Sequence, residues 1–242
     1  MDREKLETLK QWITQSKRIV FFGGAGVSTE SGIPDFRGVD GLYHQHFQDP
    51  PETIISHSYY LRKPKVFFDF YRSRMLYPDA QPNIAHKTLA KWEKDGKLLA
   101  VITQNIDGLH QMAGSRNVYE LHGSVHRNIC RKCGRVYDLQ QFLALDEIPV
   151  CLSCGGKVKP DVVLYEEALD GATIQGAVDS LRMADLVIVA GTSLTVYPAA
   201  AFLDEYPGNR LVLINKTPTP RDNIASLVLH EKLGDVFAQL NE

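Results

Sequence analysis

"GGAGVSTESGIPDFRG", residues 23–38, follows directly on "RIVFF" (18–22). The apolar run is short and bounded by polar residues, as a buried strand should be. Glycines at its exit suit the point where a parallel strand ends beside a phosphate, because a backbone without Cβ can approach closely. A dinucleotide fold would now enter a helix. Here Pro34, Asp35, Phe36 and Arg37 follow, and they cannot all continue one. The fingerprint G-x-G-x-x-G finds its first two glycines at Gly24 and Gly26, but Thr29 stands where the third belongs. The acids downstream lie in an irregular stretch instead of after a second strand, so an ordinary dehydrogenase matches poorly. The stretch predicts a phosphate-approaching turn, then a loop that breaks away.

Three further apolar runs read as buried parallel strands: "LLAVIT" (98–103), "ADLVIVAG" (184–191) and "NRLVLIN" (209–215). Segments with helical spacing separate them, such as "AHKTLAKWEKDG" (85–96). Alternating strands and helices predict an α/β protein with a Rossmann-like, doubly wound parallel sheet. Ligands bind such sheets at the carboxyl ends of the strands, which puts "GGAG", "TQNIDG", "GTS" and "INK" along one edge. At the N-terminus, Leu6, Leu9 and Ile13 predict a surface helix packed on the body. Two stretches break the alternation. Residues 39–80, rich in His, Tyr, Phe and Pro, read as a helical insert, and residues 124–160 carry every cysteine.

The cysteines form two tight pairs, Cys130-x-x-Cys133 and Cys151-x-x-Cys154. This is zinc-ribbon spacing, in which each pair makes a knuckle with two thiolates for one tetrahedral ion. Gly134 and Gly155 follow each knuckle where the turn needs freedom. A site closed by four cysteines has no open position, so the expected single Zn2+ is structural. The alternative is a pair of unliganded dithiols. Net charge is −2, hydrophobic residues are 44% and charged residues 23% of the chain. No global basic field points to nucleic acid, no run approaches the roughly 20 apolar residues of a membrane span, and the charged N-terminus lacks a signal peptide's apolar core. A cytoplasmic address is the expectation.

Taken in order, "GAGVSTESGIPDFRG", "TQNIDGLH" (103–110), "ELHGS" (120–124), the cysteine pairs, "KPDVVLYEE" (159–167), "GTSLTVYPA" (191–199) and "LINK" (213–216) resemble the sirtuins, the NAD-dependent protein deacylases. The resemblance spans essentially the whole chain. It implies a discontinuous NAD-binding domain (1–38, 81–123 and 161–242) and a small domain made of the 39–80 helical module and the 124–160 zinc ribbon. Between them it implies a cleft for NAD and for an acyl-lysine protein segment bound as an extended strand. The implied reaction is deacetylation: the acyl oxygen attacks the ribose C1′, nicotinamide leaves, and O-acetyl-ADP-ribose and free lysine are released.

The same resemblance assigns roles. His122 is the general base, suited to a step near neutral pH. Asn105 and Gln104 line the ribose and an ordered water, and Asp107 with the Ile106 backbone holds the nicotinamide carboxamide. Phe36 shields the reacting sugar and Arg37 reaches the phosphates. Ala25 meets the cofactor in the glycine loop, and Ser28 and Thr29 contact phosphate or the reacting ribose, or alternatively serve as helix-capping hydroxyls. Thr192 and Ser193 face a phosphate or ribose, Asn215 suits a ribose diol, and Asp235 or Val236 offers backbone to adenine. His86 reads as structural, and His44, His46, His57 and His126 as surface or loop residues.

Val163 and Tyr165 are the candidates for the lysine tunnel. The resemblance has glycine where this chain has Glu166, and the extra acid would favour basic residues flanking the lysine. Tyr71 and Arg74, three apart on a helix, share a face and resemble the pair that recognises succinyl or malonyl groups; desuccinylation is therefore an alternative activity. An alternative of another class, a nucleic-acid-binding zinc ribbon, would use Arg127, Arg131, Lys132 and Arg135, but it explains none of "GAG", "TQNIDG" or "GTS".

Overall fold

The first helix, α1 (Arg3–Gln15), begins at Asp2, whose carboxylate accepts the Glu4 and Lys5 N–H groups at 3.1 and 3.3 Å. Leu6, Leu9 and Ile13 are buried, as their spacing predicts. Strand β1 (Ile19–Gly23) is buried at every residue. The computed structural model describes residues 2–36, 41 and 49–241, so Arg37, His44 and His46 lie outside the described residues. Beyond β1 the chain makes two short 3-10 turns, Ala25–Val27 and Thr29–Ser31, where a dinucleotide fold would have a long helix. Then come α2 (Pro51–Ile54), α3 (His57–Arg62), α4 (Pro64–Arg74), α5 (Ile84–Lys94), β2 (Leu98–Thr103), α6 (Leu109–Ala113) and β3 (Val118–Glu120). They are followed by β4 (Gly123–Cys130), β5 (Val136–Tyr137), α7 (Leu139–Leu143), β6 (Val158–Val162), α8 (Gly171–Met183), β7 (Leu186–Ala190), β8 (Leu211–Ile214), β9 (Leu227–Leu229) and α9 (Leu233–Gln239).

Six strands form one parallel sheet in the order β3-β2-β1-β7-β8-β9. The chain winds outward from β1 in one direction and from β7 in the other, so the winding reverses between those two strands. Helices cover both faces, which is why β1 and β7 are continuously apolar. One face packs α1, α5 and α9 through Leu9, Leu89, Trp92 and Phe237; the other packs α8 through Ala177 and Leu181. A separate antiparallel sheet, β5-β4-β6, carries the cysteines. The aromatic helix α4 docks on it: Phe67 stacks on Tyr71 at 5.9 Å, and Phe142 from α7 meets the Tyr71 ring edge-on at 5.9 Å. Helical insert and ribbon thus share one core, distinct from the two faces of the large sheet.

Where β1 meets β7, two loop backbones touch. The Gly24 N–H donates to the Ala190 carbonyl at 3.2 Å and the Gly26 N–H to the Gly191 carbonyl at 2.8 Å. A Cβ on Gly26 would stand 2.7 Å from the Gly191 Cα, closer than real atoms approach. The "GAG" glycines are therefore required first by packing between loops, whatever binds above them.

Candidate active site

The carboxyl ends of the parallel strands open into a cleft of about 1070 Å3, bounded on its far side by the helical insert and the strand leaving β6. This is the crevice at the reversal of strand order where open α/β sheets take ligands. Its floor is the loop after β2. Gln104 is held by its N–H on the Gly23 carbonyl at 2.9 Å and by its side-chain amide on Thr192 Oγ1 at 3.2 Å. Buried Ser28 bridges the two polar residues that follow. Its hydroxyl donates to Asp107 Oδ2 at 2.6 Å and accepts from Asn105 Nδ2 at 3.0 Å. Asp107 Oδ1 accepts the Leu109 N–H at 2.9 Å, and the Ile106 carbonyl accepts the Val125 N–H at 2.9 Å. These bonds fix Asn105, Ile106 and Asp107 without any ligand.

His122 stands where β3 gives way to β4 and lines the same cleft. Its Nδ1 lies 2.9 Å from the Gln104 carbonyl oxygen, which can only accept, so Nδ1 carries the proton and Nε2 keeps its lone pair. Burial lowers the His122 pKa from its ordinary value of 6.5, and the bond to Gln104 opposes that only in part. The result is a neutral imidazole of fixed tautomer, the form a general base needs.

Ala25, Thr29 and Phe36 border the cleft, and Phe36 also packs on Ile54, Ile55, Tyr59 and Phe70 of the helical insert. The Thr29 hydroxyl is turned back onto the Gly26 carbonyl at 3.0 Å. Thr192, Ser193 and Asn215 complete the wall under β7 and β8. Val163, Tyr165 and Glu166 form the opposite wall. His126, read from the sequence as a surface residue, belongs to the site: its Nε2 donates to the Asp107 carbonyl at 2.9 Å, and its ring leaves no room for a Cβ on Gly108. Ser28, assigned above to a ligand or a helix cap, proves to be the bridge beneath Asn105 and Asp107. Its polar, buried position among glycines was the available signal.

Two expected site residues do not reach the cleft. Tyr71 is wholly buried in the insert's aromatic core, so it cannot share a distal carboxylate with Arg74, which does line the cleft. Three residues apart on α4, they diverge because the core takes the tyrosine. Val236 is fully buried in the core that α1 and α5 also enter, and its N–H is spent on the Lys232 carbonyl within α9; Glu231, Lys232 and Leu233 form the wall there.

Away from the cleft, the Sγ atoms of Cys130, Cys133, Cys151 and Cys154 all lie within 4.8 Å of one another, with 3.5 Å between Cys130 and Cys154 and 3.7 Å between Cys133 and Cys151. Zn–S bonds of about 2.3 Å imply tetrahedral edges of about 3.8 Å, so this donor set fits one Zn2+ and is too widely spaced for disulfides. Buried Tyr137 donates its hydroxyl to Cys151 Sγ at 3.2 Å while accepting the Leu152 N–H at 3.0 Å. Such outer contacts orient thiolate ligands.

Comparison with known proteins agrees with this geometry. A model of the Sir2 family matches residues 24–198. A Clostridium acetobutylicum protein named NAD-dependent protein deacetylase is 54% identical over 237 residues, covering 97% of both chains. One of the same name from Staphylococcus aureus is 44% identical over 240 residues, covering 98% of both. Among solved structures, one described under the mechanism and regulation of Sir2 enzymes superposes with a TM-score of 0.89 at 39% identity, covering 99% of this chain and 97% of its own. A Sir2 complex with a p53 peptide and NAD+ superposes with a TM-score of 0.86 at 35% identity, covering 97% and 96%.

Proposed function

The chain belongs to the Sir2 family and is an NAD-dependent protein deacetylase, and we propose that His122 is the base of its reaction and that Asn105, Ser28 and Asp107 form the clamp that positions the cofactor. The observation that carries this reading is the His122 tautomer. A ring that donates from Nδ1 to Gln104 has only Nε2 with which to accept a proton inside the cleft. NAD held in this cleft would supply a sugar carbon as the electrophile and nicotinamide as its leaving group.

The chain's own residues do the rest. Asp107 offers a carboxylate beside the Ile106 N–H, an acceptor and a donor matched to a carboxamide. Ser28 holds that carboxylate and the Asn105 amide at fixed separation, so neither reorganises during the reaction. Phe36, seated on the helical insert, keeps water from the reacting carbon. His122 accepts at Nε2 the proton of the hydroxyl that attacks the acyl carbon. Thr192, Ser193 and Asn215 serve the remainder of the cofactor, and Cys130, Cys133, Cys151 and Cys154 hold one structural Zn2+ that stabilises the ribbon.

The acyl-lysine segment pairs as a strand along residues 163–166, with Val163 and Tyr165 lining the path of the lysine. Acetyl is the group the site is built for, since burial of Tyr71 removes half of the pair that would read an acidic acyl chain. The limits 39–80 and 124–160 for the small domain are supported by the core those segments share. No helix among the described residues is long and apolar enough to cross a membrane, and we place the enzyme in the cytoplasm. Mass spectrometry of an acetyl-lysine peptide tests the reading: acetyl should be lost only with NAD present and not with His122→Ala. Persistence of acetyl under every condition, with NAD binding intact, would refute it.

A further inference from the structure

Glu166 occupies a backbone conformation that side chains avoid, with φ of +74°. A non-glycine residue stays there only where its surroundings hold it. Here the holder is its own carboxylate. Glu166 Oε2 accepts the Ser58 N–H at 2.8 Å and Oε1 accepts the Ser58 hydroxyl at 2.9 Å, so both oxygens are committed to the first turn of α3. The acid is therefore not a free charge awaiting basic residues of a peptide.

Neighbouring contacts make the same connection. The Tyr165 N–H donates to the Ile55 carbonyl at 3.1 Å, and the His57 N–H donates to the Tyr165 carbonyl at 3.0 Å. His57 Nδ1 lies 2.7 Å from Glu167 Oε1, while Glu167 Oε2 accepts from Lys159 Nζ at 3.0 Å. Both backbone groups of Tyr165 are thus consumed by the helical insert. Glu166 lies in the left-handed turn that follows, so the pairing with the insert stops at Tyr165. Glu166 lines the cleft, and no hydrogen bond from a described residue engages its N–H or C=O.

We infer that Glu166 is a positioning residue for the substrate: by gripping Ser58 it holds the left-handed turn that presents its own free N–H and C=O to the acyl-lysine strand. This rests on the reading of residues 163–166 as the segment that pairs with substrate. A glycine would reach the same φ without strain but would not be tied to α3. Glu166 thereby makes α3 part of the peptide-binding wall, and it separates peptide affinity from the base and the clamp, which stand on other elements.

Steady-state kinetics of E166G and E166Q with an acetyl-lysine peptide test this, together with hydrogen exchange at the Ser58 amide. Glutamine can keep both contacts to Ser58, accepting from the N–H and donating to the hydroxyl. E166G should raise the peptide KM about 5–10-fold, because the loss of two hydrogen bonds to the carboxylate is offset in large part by relief of strain at this φ, with kcat and the KM for NAD unchanged. It should also lose exchange protection at Ser58, and E166Q should restore both the KM and the protection. An unchanged peptide KM or unchanged Ser58 protection in E166G overturns the inference, as does a KM in E166Q as high as in E166G. No NAD-dependent deacetylation by the native enzyme would instead overturn the functional reading, and Ser58 exchange would still decide whether the anchor exists.

Discussion

Replacing Ser28 with alanine removes one oxygen from beneath Asn105 and Asp107, the clamp proposed above. Asp107 Oδ2 loses a hydroxyl donor 2.6 Å away, and the Asn105 amide loses its acceptor at 3.0 Å. A hydrogen bond to a charged acceptor contributes about 1.5–3 kcal/mol and a neutral one about 1 kcal/mol, so the cost is about 2.5–4 kcal/mol. The loop itself should survive. Gln104 remains bonded to Gly23, Asn105 N–H to Thr103 Oγ1 and Leu109 N–H to Asp107 Oδ1. Most of the cost should therefore fall on the placement of the carboxamide clamp. At tenfold per 1.4 kcal/mol, kcat/KM for NAD should drop roughly 60- to 700-fold. Initial rates of nicotinamide release against NAD concentration measure this, with a melting curve run alongside. A variant within threefold of native kcat/KM would refute the reasoning. So would a cost that appears entirely as a lowered melting temperature, because Ser28 would then be a structural residue only.

His122→Ala should abolish acetyl loss yet still exchange labelled nicotinamide into NAD, because in the proposed course His122 acts after nicotinamide leaves; loss of exchange as well would move His122 to the earlier step. Since burial lowers the His122 pKa, the ring stays a neutral base as pH falls past 6.5, and the acid limb of kcat/KM should have its midpoint below that value. Stability has its own acid limb from His86, which burial pushes down to about 4, and from its equally buried neighbour His110. Between about 4 and 6.5 the unfolded chain binds protons that the folded rings refuse, so urea midpoints should fall as pH is lowered through that window and level off above it. Stripping zinc with a chelator after thiol modification should release one Zn2+ per chain, measured with a chromogenic indicator; the ribbon should then become protease-sensitive while the parallel sheet keeps its far-ultraviolet signal.

The strands at the centre of the sheet were legible because burial on both faces leaves them uninterrupted apolar sequence. The three-residue edge strands β3 and β9 were not, since three residues carry too little pattern to separate from a turn. The cysteine spacing announces the ribbon, and the motifs holding His122, Asn105 and Asp107 direct attention to residues that do line the cleft. The misplacements share one physical cause. Tyr71 and Arg74 stand at helical spacing, but spacing ranks residues along a face without saying which end of that face the core will take. Val236 lay next to a polar run, and nothing in "LGDVF" reveals that α9 turns its valine and phenylalanine onto α5. Glu166 was legible only as an anomaly, because its partner Ser58 is 108 residues away.

The pattern of attachments gives the cleft two walls of different character. The proposed clamp hangs on the exits of β1 and β2, which are tied backbone to backbone to each other and to β7 through Gly23, Gly24, Gly26, Ala190 and Gly191. The proposed base His122, leaving β3, is bonded to that framework through the Gln104 carbonyl. No substitution in the helical insert needs to disturb those bonds. Phe36, Tyr165 and Glu166, by contrast, rest on Ile54, Ile55, His57 and Ser58, all in a short stretch of that insert. Changes confined to residues 54–58 should then alter which peptides bind while leaving the nicotinamide chemistry intact. On this reading, a preorganised wall facing a wall hung on a separate module would let peptide affinity be retuned without re-forming the site of the chemistry.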